Sequence, residues 1–299
     1  MTEPKRLEQQ KDRYALVDGI PFRLPVACRN SPALFAVFPI DLAEARRLLP
    51  GNEVHPLRLW NKALLVVSVI DYRETNIGKY IEFSIAIACT HGARPAPRFL
   101  PVLLQKTYGV GQYVVDLPVS TEISVKGGKG IWGMPKHQAN LDYRIEDEWV
   151  SSQYDLDGEL GMRIEVRRPR KAWLPFKTGA ANYCEFRGML MKSYIYFRGK
   201  VGFTMFDKTA ARITIGTHPR VQPLKSLGIG DPIVTAFIPE ANGVLDDHFE
   251  NWFIGEEQPV AAHGEGMESV IGLGLGQEWL APPVAAGRGA SVTAAGGGK

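Results

Sequence analysis

The sequence predicts an α+β protein built mainly of antiparallel strands, closed into a barrel or sandwich and decorated with a few short helices. Three observations carry this expectation. Short β-rich stretches recur through the middle of the chain, and several alternate apolar with polar residues. Glycine, proline, asparagine and aspartate punctuate them. No helical window of the length a parallel crossover needs alternates with them, which argues against a doubly wound α/β sheet.

In chain order, residues 1–14 are polar and read as a flexible arm, and 15–254 read as one domain. Asp41 to Pro50 reads as one short helix. Asp41 is its N-cap, Leu42, Ala45, Leu48 and Leu49 share a face, and Pro50 stops it. Strands are expected over Ala63–Asp71, Tyr80–Cys89, Tyr113–Val119, Thr121–Val125, Leu141–Ile145, Trp149–Leu156 and Met162–Arg167. Asp157-Gly158 marks a hairpin. A second hairpin is read as Met189–Phe197 and Val201–Phe206, turning at Arg198-Gly199-Lys200. Arg212–Ile215 and Ile233–Ile238 add strands, and Gly243–Phe253 reads as a closing helix. Residues 255–299 form an extension, expected to be disordered from about Val284 by its alanine and glycine content.

Composition narrows the function classes. Of 299 residues, 45 % are hydrophobic and 22 % charged, the profile of a globular protein. A formal net charge of +3 is not the footprint of a nucleic-acid binder. No apolar run reaches the ~20 residues of a membrane span, and Met1–Tyr14 lacks the apolar core of a secretory leader, so the default location is the cytoplasm. Cys28, Cys89 and Cys184 are far apart and read as buried reduced thiols. The histidines show no metal-ligand spacing, no GxSxG elbow is present, and no metal or cofactor is expected. Arg167-Arg-Pro-Arg-Lys171 reads as a solvated turn.

Gly128-Lys-Gly130-Ile-Trp-Gly133 spells the dinucleotide fingerprint. Pro135 follows at once and no helical period is visible before Leu141, so the crossover helix that builds the pyrophosphate site is not expected. The same stretch carries a different candidate. Lys136 follows Ile131, Trp132, Met134 and Pro135. A lysine amine attacks carbonyls only when neutral, and at pH 7 an ordinary lysine is neutral in about one molecule in 2,500. Apolar burial or a neighbouring cation raises that fraction.

Gly-Ile-Trp-Gly-Met-Pro-Lys136 resembles the active-site segment of the acetoacetate decarboxylase superfamily, whose lysine forms a Schiff base. Three further stretches agree in order: Pro39 to Pro50 with the family's early helix, Ile77-Gly78-Lys-Tyr80-Ile-Glu82 with its Gly-x-Tyr-x-Glu motif, and Arg212–Trp252 with its C-terminal segment. The resemblance runs from about residue 20 to 254. It implies a barrel-like acetoacetate-decarboxylase-type fold, a homo-oligomer, Lys136 as the imine-forming amine, Glu82 in the pocket and a small keto acid as substrate. The family mechanism relies on a lysine activated by desolvation or a nearby cation.

Three positions depart from the family pattern. His137 replaces a second lysine and is expected at the substrate, where a proton shuttle would suit an aldolase-dehydratase; a largely neutral imidazole brings less positive charge, which shifts the burden of activation to Trp132 and Met134. Val67 stands where authentic decarboxylases carry a further glutamate, the nearest acid being Asp71. Ser31 stands at the family's carboxylate-binding arginine, and Arg29, two residues earlier and thus on the same face of a strand, is the candidate substitute. The first functional reading is decarboxylation of a β-keto acid through a lysine imine and enamine. The second is a pyruvate aldolase-dehydratase or hydratase using the same lysine. The third is a non-catalytic small-molecule binding protein on the same scaffold.

Overall fold

The computed structural model describes residues 3–9, 12–255 and 273–283. The expected disorder beyond Val284 lies outside the described residues. The chain begins with a one-turn helix α1 (Arg6–Gln9) and a hairpin of β1 (Arg13–Val17) and β2 (Ile20–Leu24). A long β3 (Val26–Asp41) leads into α2 (Leu42–Arg47), where Asp41 accepts from the amides of Ala43 and Glu44 as an N-cap should. Then come β4 (Val54–Pro56), β5 (Lys62–Tyr72), β6 (Glu74–Thr75) and β7 (Tyr80–His91). A short α3 (Leu100–Leu103) precedes β8 (Gly111–Val119), α4 (Glu122–Trp132) and β9 (Lys136–Gln138). The second half holds β10 (Asn140–Leu141), β11 (Arg144–Ile145), β12 (Trp149–Leu156), β13 (Glu159–Arg167), β14 (Leu174–Phe186), β15 (Met189–Met205) and β16 (Ala211–Ile215). A 3₁₀ turn at Pro219–Val221 runs into α5 (Gln222–Lys225), and β17 (Val234–Phe253) follows.

Seven strands close a barrel in the order β7-β5-β3-β17-β15-β14-β8, with β8 returning to pair β7. All neighbours are antiparallel except β14 and β8, which run parallel and meet only at Asn182↔Gln112 and Tyr183↔Tyr113. Alternation assigns the two faces. On β7, Phe83 and Ile85 point outward into a core shared with Tyr154 of β12 and Met162 and Ile164 of β13. Glu82 and Ser84 point inward to a cavity. The second sheet therefore dries the outside of the barrel wall, and α4 packs near one end with Val125, Ile131 and Trp132 in the core that includes Val17 and Phe22.

The strand expected over Leu141–Ile145 is split into β10 and β11, and three other elements differ more deeply from the sequence expectation. Thr121–Val125 and the glycines after it form α4 rather than a strand and a loop. Glycine-rich sequence disfavours a helix by about 1 kcal/mol per glycine relative to alanine. Here the missing side chains are what let the helix dock. An added Cβ at Gly130 would lie 2.3 Å from Val17, and one at Gly127 2.9 Å from Phe22. Gly128 and Gly130 sit in the last half of α4 and Gly133 caps its end, away from the helix N-terminus where a dinucleotide fingerprint holds its pyrophosphate. Secondly, Arg198-Gly199-Lys200 is not a turn but the middle of β15; the turn is Arg187-Gly188, with φ of 54° and 72°. Thirdly, Gly243–Phe253 is no helix but the end of β17, which pairs with β15 as far as Met189↔Phe253.

At the N-terminus, read as an arm, Leu7 is buried against Tyr196 and Val244, and Arg6 pairs with the buried Asp246. Residues 273–276 lie along the start of α4, where the carbonyls of Gly276 and Leu273 accept from the Ile123 amide (3.3 Å) and Lys126 Nζ (2.9 Å), and Ala281 O accepts from Asn140 Nδ2 (2.5 Å). The three cysteines are buried and unpaired by disulfides, as expected, and burial pushes the Cys28 thiol up to about 12.

Candidate active site

Lys136 enters the barrel because α4 ends abruptly. Gly133 takes a left-handed φ of 66°, its amide bonds back to Lys129 O (2.9 Å), and the Met134 amide reaches Gly128 O (3.2 Å). The chain then turns into β9, which pairs parallel with the end of β8 through Leu117↔Lys136. Glu82 arrives from the other neighbour of β8, in register with Val119. The two side chains meet over the end of β8, with Lys136 Nζ 2.7 Å from Glu82 Oε2 and both nearly buried. Nζ also donates to Ser124 Oγ of α4 (3.1 Å) and lies 5.1 Å from the centre of the Tyr80 ring.

The lysine stem follows Gly128. A Cβ there would stand 2.3 Å from Lys136 Cδ and 2.7 Å from Cε, so the helix backbone forms the floor of the lysine channel. Tyr72 and Tyr80 stack with ring centres 4.5 Å apart, and the Tyr72 hydroxyl faces Glu82 Oε1 at 3.4 Å. Burial, reinforced by the Glu82 charge, pushes both phenols well above the ordinary tyrosine range.

The pair lines a cavity of about 340 Å³ inside the barrel. Ile70, Trp132, Met134, Phe176, Phe197 and Ile238 give it apolar walls, and Ser84, Gln112, Asn182 and Ser193 add neutral polar groups. Trp132 is fixed by its indole N–H, which donates to Asp246 O at 2.8 Å. Among the lining residues Thr178 and Ala180 are exposed, so the mouth lies along the part of β14 that has no β8 pairing, and the ion pair lies deep.

Of the five residues singled out from sequence, three meet here: Lys136, Glu82 and Trp132. Lys136 is shielded from water as expected, but its nearest partner is a carboxylate rather than apolar side chains. Arg29 does not reach the cavity. Asn30 takes φ 48°, and between the pairs Ser31↔Ala241 and Cys28↔Gly243 three steps on β3 oppose two on β17. This bulge breaks the two-residue alternation, so Arg29 is exposed beside Glu74 of β6. His137 also faces away, as the residue after Lys136 on a strand must. Its Nε2 lies 2.9 Å from Asp116 Oδ1, which also accepts from Arg220 Nε (2.7 Å), while Tyr154 reaches Oδ2 (3.2 Å). At the family's second glutamate, Val67 packs in the outer core, and its neighbour Ser68 lines the cavity. Asp71 is taken up by Arg73 at 2.8 Å.

The Asp116 cluster ties three-residue β9 to the outer sheet. Burial works against the Asp116 carboxylate, but His137 and Arg220 outweigh it and hold the group below its ordinary value of 3.8. A depressed carboxyl contributes stability that is present above the unfolded value and lost as pH falls through the folded one. Asp116→Asn is therefore expected to cost about 1.5–3 kcal/mol near neutral pH. Thermal unfolding across pH should show the gap to wild type closing below about pH 4.

Ser124 and Tyr80 are site residues that the sequence reading missed. Tyr80 lay within the quoted Gly-x-Tyr-x-Glu motif, two residues and hence one strand repeat from Glu82. Ser124 was hidden by the strand assigned to Thr121–Val125.

The family model for acetoacetate decarboxylase (ADC) matches residues 10–184, more than half of the chain. No curated protein sequence matches it. A solved acetoacetate decarboxylase structure is similar with 16 % identity and a TM-score of 0.55, covering 78 % of this chain and 91 % of that one. The acetoacetate decarboxylase of Legionella pneumophila subsp. pneumophila str. Philadelphia 1 aligns at 12 % identity and TM-score 0.56, over 76 % and 89 %. The enduracididine biosynthesis enzyme MppR, complexed with pyruvate, aligns at 13 % and 0.54, over 76 % and 90 %. These likenesses show a shared fold. With the family match spanning β7, α4 and β9, the chain belongs to the acetoacetate decarboxylase family.

Proposed function

We propose that the protein is a lyase that works through a lysine imine formed at Lys136, with Glu82 as its proton partner. The observation that carries this reading is a buried amine, 2.7 Å from a buried carboxylate, facing a largely apolar cavity. Glu82 takes a proton from the Lys136 ammonium. The neutral nitrogen attacks the substrate carbonyl carbon and a carbinolamine forms. Glu82 returns its proton to the departing hydroxyl, which leaves as water. The product is a protonated imine facing the Glu82 carboxylate. That cation then accepts the electron pair of the bond that breaks next to it, giving an enamine.

Two bonds can supply that pair. Loss of carbon dioxide from a β-keto acid is the first route. Removal of an α-proton is the second, after which the enamine adds to an aldehyde or expels water. The exposed position of Arg29 favours the second with a donor that carries no carboxylate, because the side chain expected to hold that group in either keto acid lies outside the cavity.

Borohydride reduction tests the proposal. Reduction in the presence of a carbonyl substrate should add the substrate mass less one oxygen to the chain, and peptide mapping should place it on Lys136. A protein that binds carbonyl compounds but never traps one would be a binding module instead. Glu82→Gln keeps the shape but removes the base, and should lower the trapping rate by about 10²–10⁴-fold, read by timed quenching.

A further inference from the structure

The charges of the cavity indicate its substrate class, given the imine reading above. The described lining residues include one cation and one anion, Lys136 and Glu82, and these neutralise each other. The same balance holds after condensation, when the protonated imine takes the place of the ammonium. A keto acid would bring a second carboxylate into an apolar space whose only cation is already matched. Burying an unmatched charge is costly, and the usual outcome is exclusion or neutralisation. The remaining polar groups are hydroxyls and amides, and Gln112 and Asn182 are bonded to each other at 2.8 Å.

Size and wall chemistry agree with this. At the ~30 Å³ that a water occupies in the liquid, about 340 Å³ holds roughly ten waters, far more than a four-carbon acid fills. Besides the exposed Thr178 and Ala180 at the mouth and the buried pair, the lining includes Phe35, Phe176, Phe197, Val201 and Ile238. Such a passage gains by covering apolar carbon, not by solvating an anion.

We propose that the cavity takes an uncharged ketone or aldehyde with an apolar chain or ring, its carbonyl at Lys136 and its apolar body toward Phe176 and Phe197. The full chain should be reduced with borohydride in the presence of 4-phenyl-2-butanone, 2-octanone, acetoacetate or pyruvate, and weighed. The Lys136 adduct should form with the two ketones at concentrations at least tenfold lower than with the two acids. Equal or better trapping of the acids would overturn the proposal.

Binding of unreactive alcohols separates this from the imine reading. 4-Phenyl-2-butanol and 3-hydroxybutyrate should be titrated against tryptophan fluorescence, since Trp132 lines the cavity. Tight binding of the aromatic alcohol with no adduct from any carbonyl would sink the imine and leave the substrate class standing. Binding of 3-hydroxybutyrate at equal strength would sink the class. Thr178→Arg, which sets a cation at the mouth, should move the trapping preference toward the acids by tenfold or more, and an unmoved preference would count against the charge argument.

Discussion

Lys136→Met is expected to abolish the reducible adduct and to lower turnover by at least ~10³-fold, since no second amine lines the cavity among the described residues. The same change should destabilise the fold. It strands Glu82, whose side chain is 8 % exposed, without its cation. Removing one member of a buried ion pair costs about 3–5 kcal/mol, because the survivor keeps its desolvation penalty. The double variant Lys136→Met, Glu82→Gln removes both charges and should recover most of that stability while remaining inactive. Chemical denaturation of the three proteins reads the stability, and trapping reads the chemistry. If the double variant were no more stable than the single, the pair would not be the source of the loss.

Gly128→Ala is expected to separate stability from chemistry in the opposite direction. In an ordinary helix interior, glycine to alanine gains about 1 kcal/mol. The new Cβ would fall 2.3 Å from Lys136 Cδ, a contact that real atoms do not keep. The lysine stem is flexible, so the side chain moves rather than the helix. Displacement of a reacting nitrogen by about 1 Å costs on the order of 10²-fold. The variant should thus melt no lower than about 1 °C below wild type and trap substrate about 10²-fold more slowly. A variant that melts much lower and traps normally would mean that α4 yielded instead of Lys136.

The legible parts of the sequence were those governed by local chemistry. Alternation around Phe83 and Ile85, the Asp41 cap and the Asp157-Gly158 hairpin are all read within a few residues, and all are present. The barrel class follows from them, and the family match agrees. The missed features depend on contacts between distant segments. Gly127 and Gly130 break helices in isolation, yet Phe22 and Val17 sit where their side chains would be, and nothing near residue 127 announces that. Arg29 was placed by counting twos along a strand, a rule that fails at Asn30 because a bulge is a property of two strands at once. His137 was drawn to the substrate by its neighbour Lys136, although adjacent residues of a strand face opposite sides, and its partner Asp116 lies 21 residues earlier.

The meeting of β14 and β8 at only two residue pairs makes one seam of the barrel much weaker than the rest. Along 174–181, β14 pairs among the described residues with β15 alone, so its outward amides should exchange with solvent well before those of β5 or β7. A ligand filling the space behind that seam would slow the exchange, and the rate at which the wall breathes would set how fast molecules come and go. Closure of the barrel and admission to its interior are then two readings of the same short stretch of hydrogen bonding.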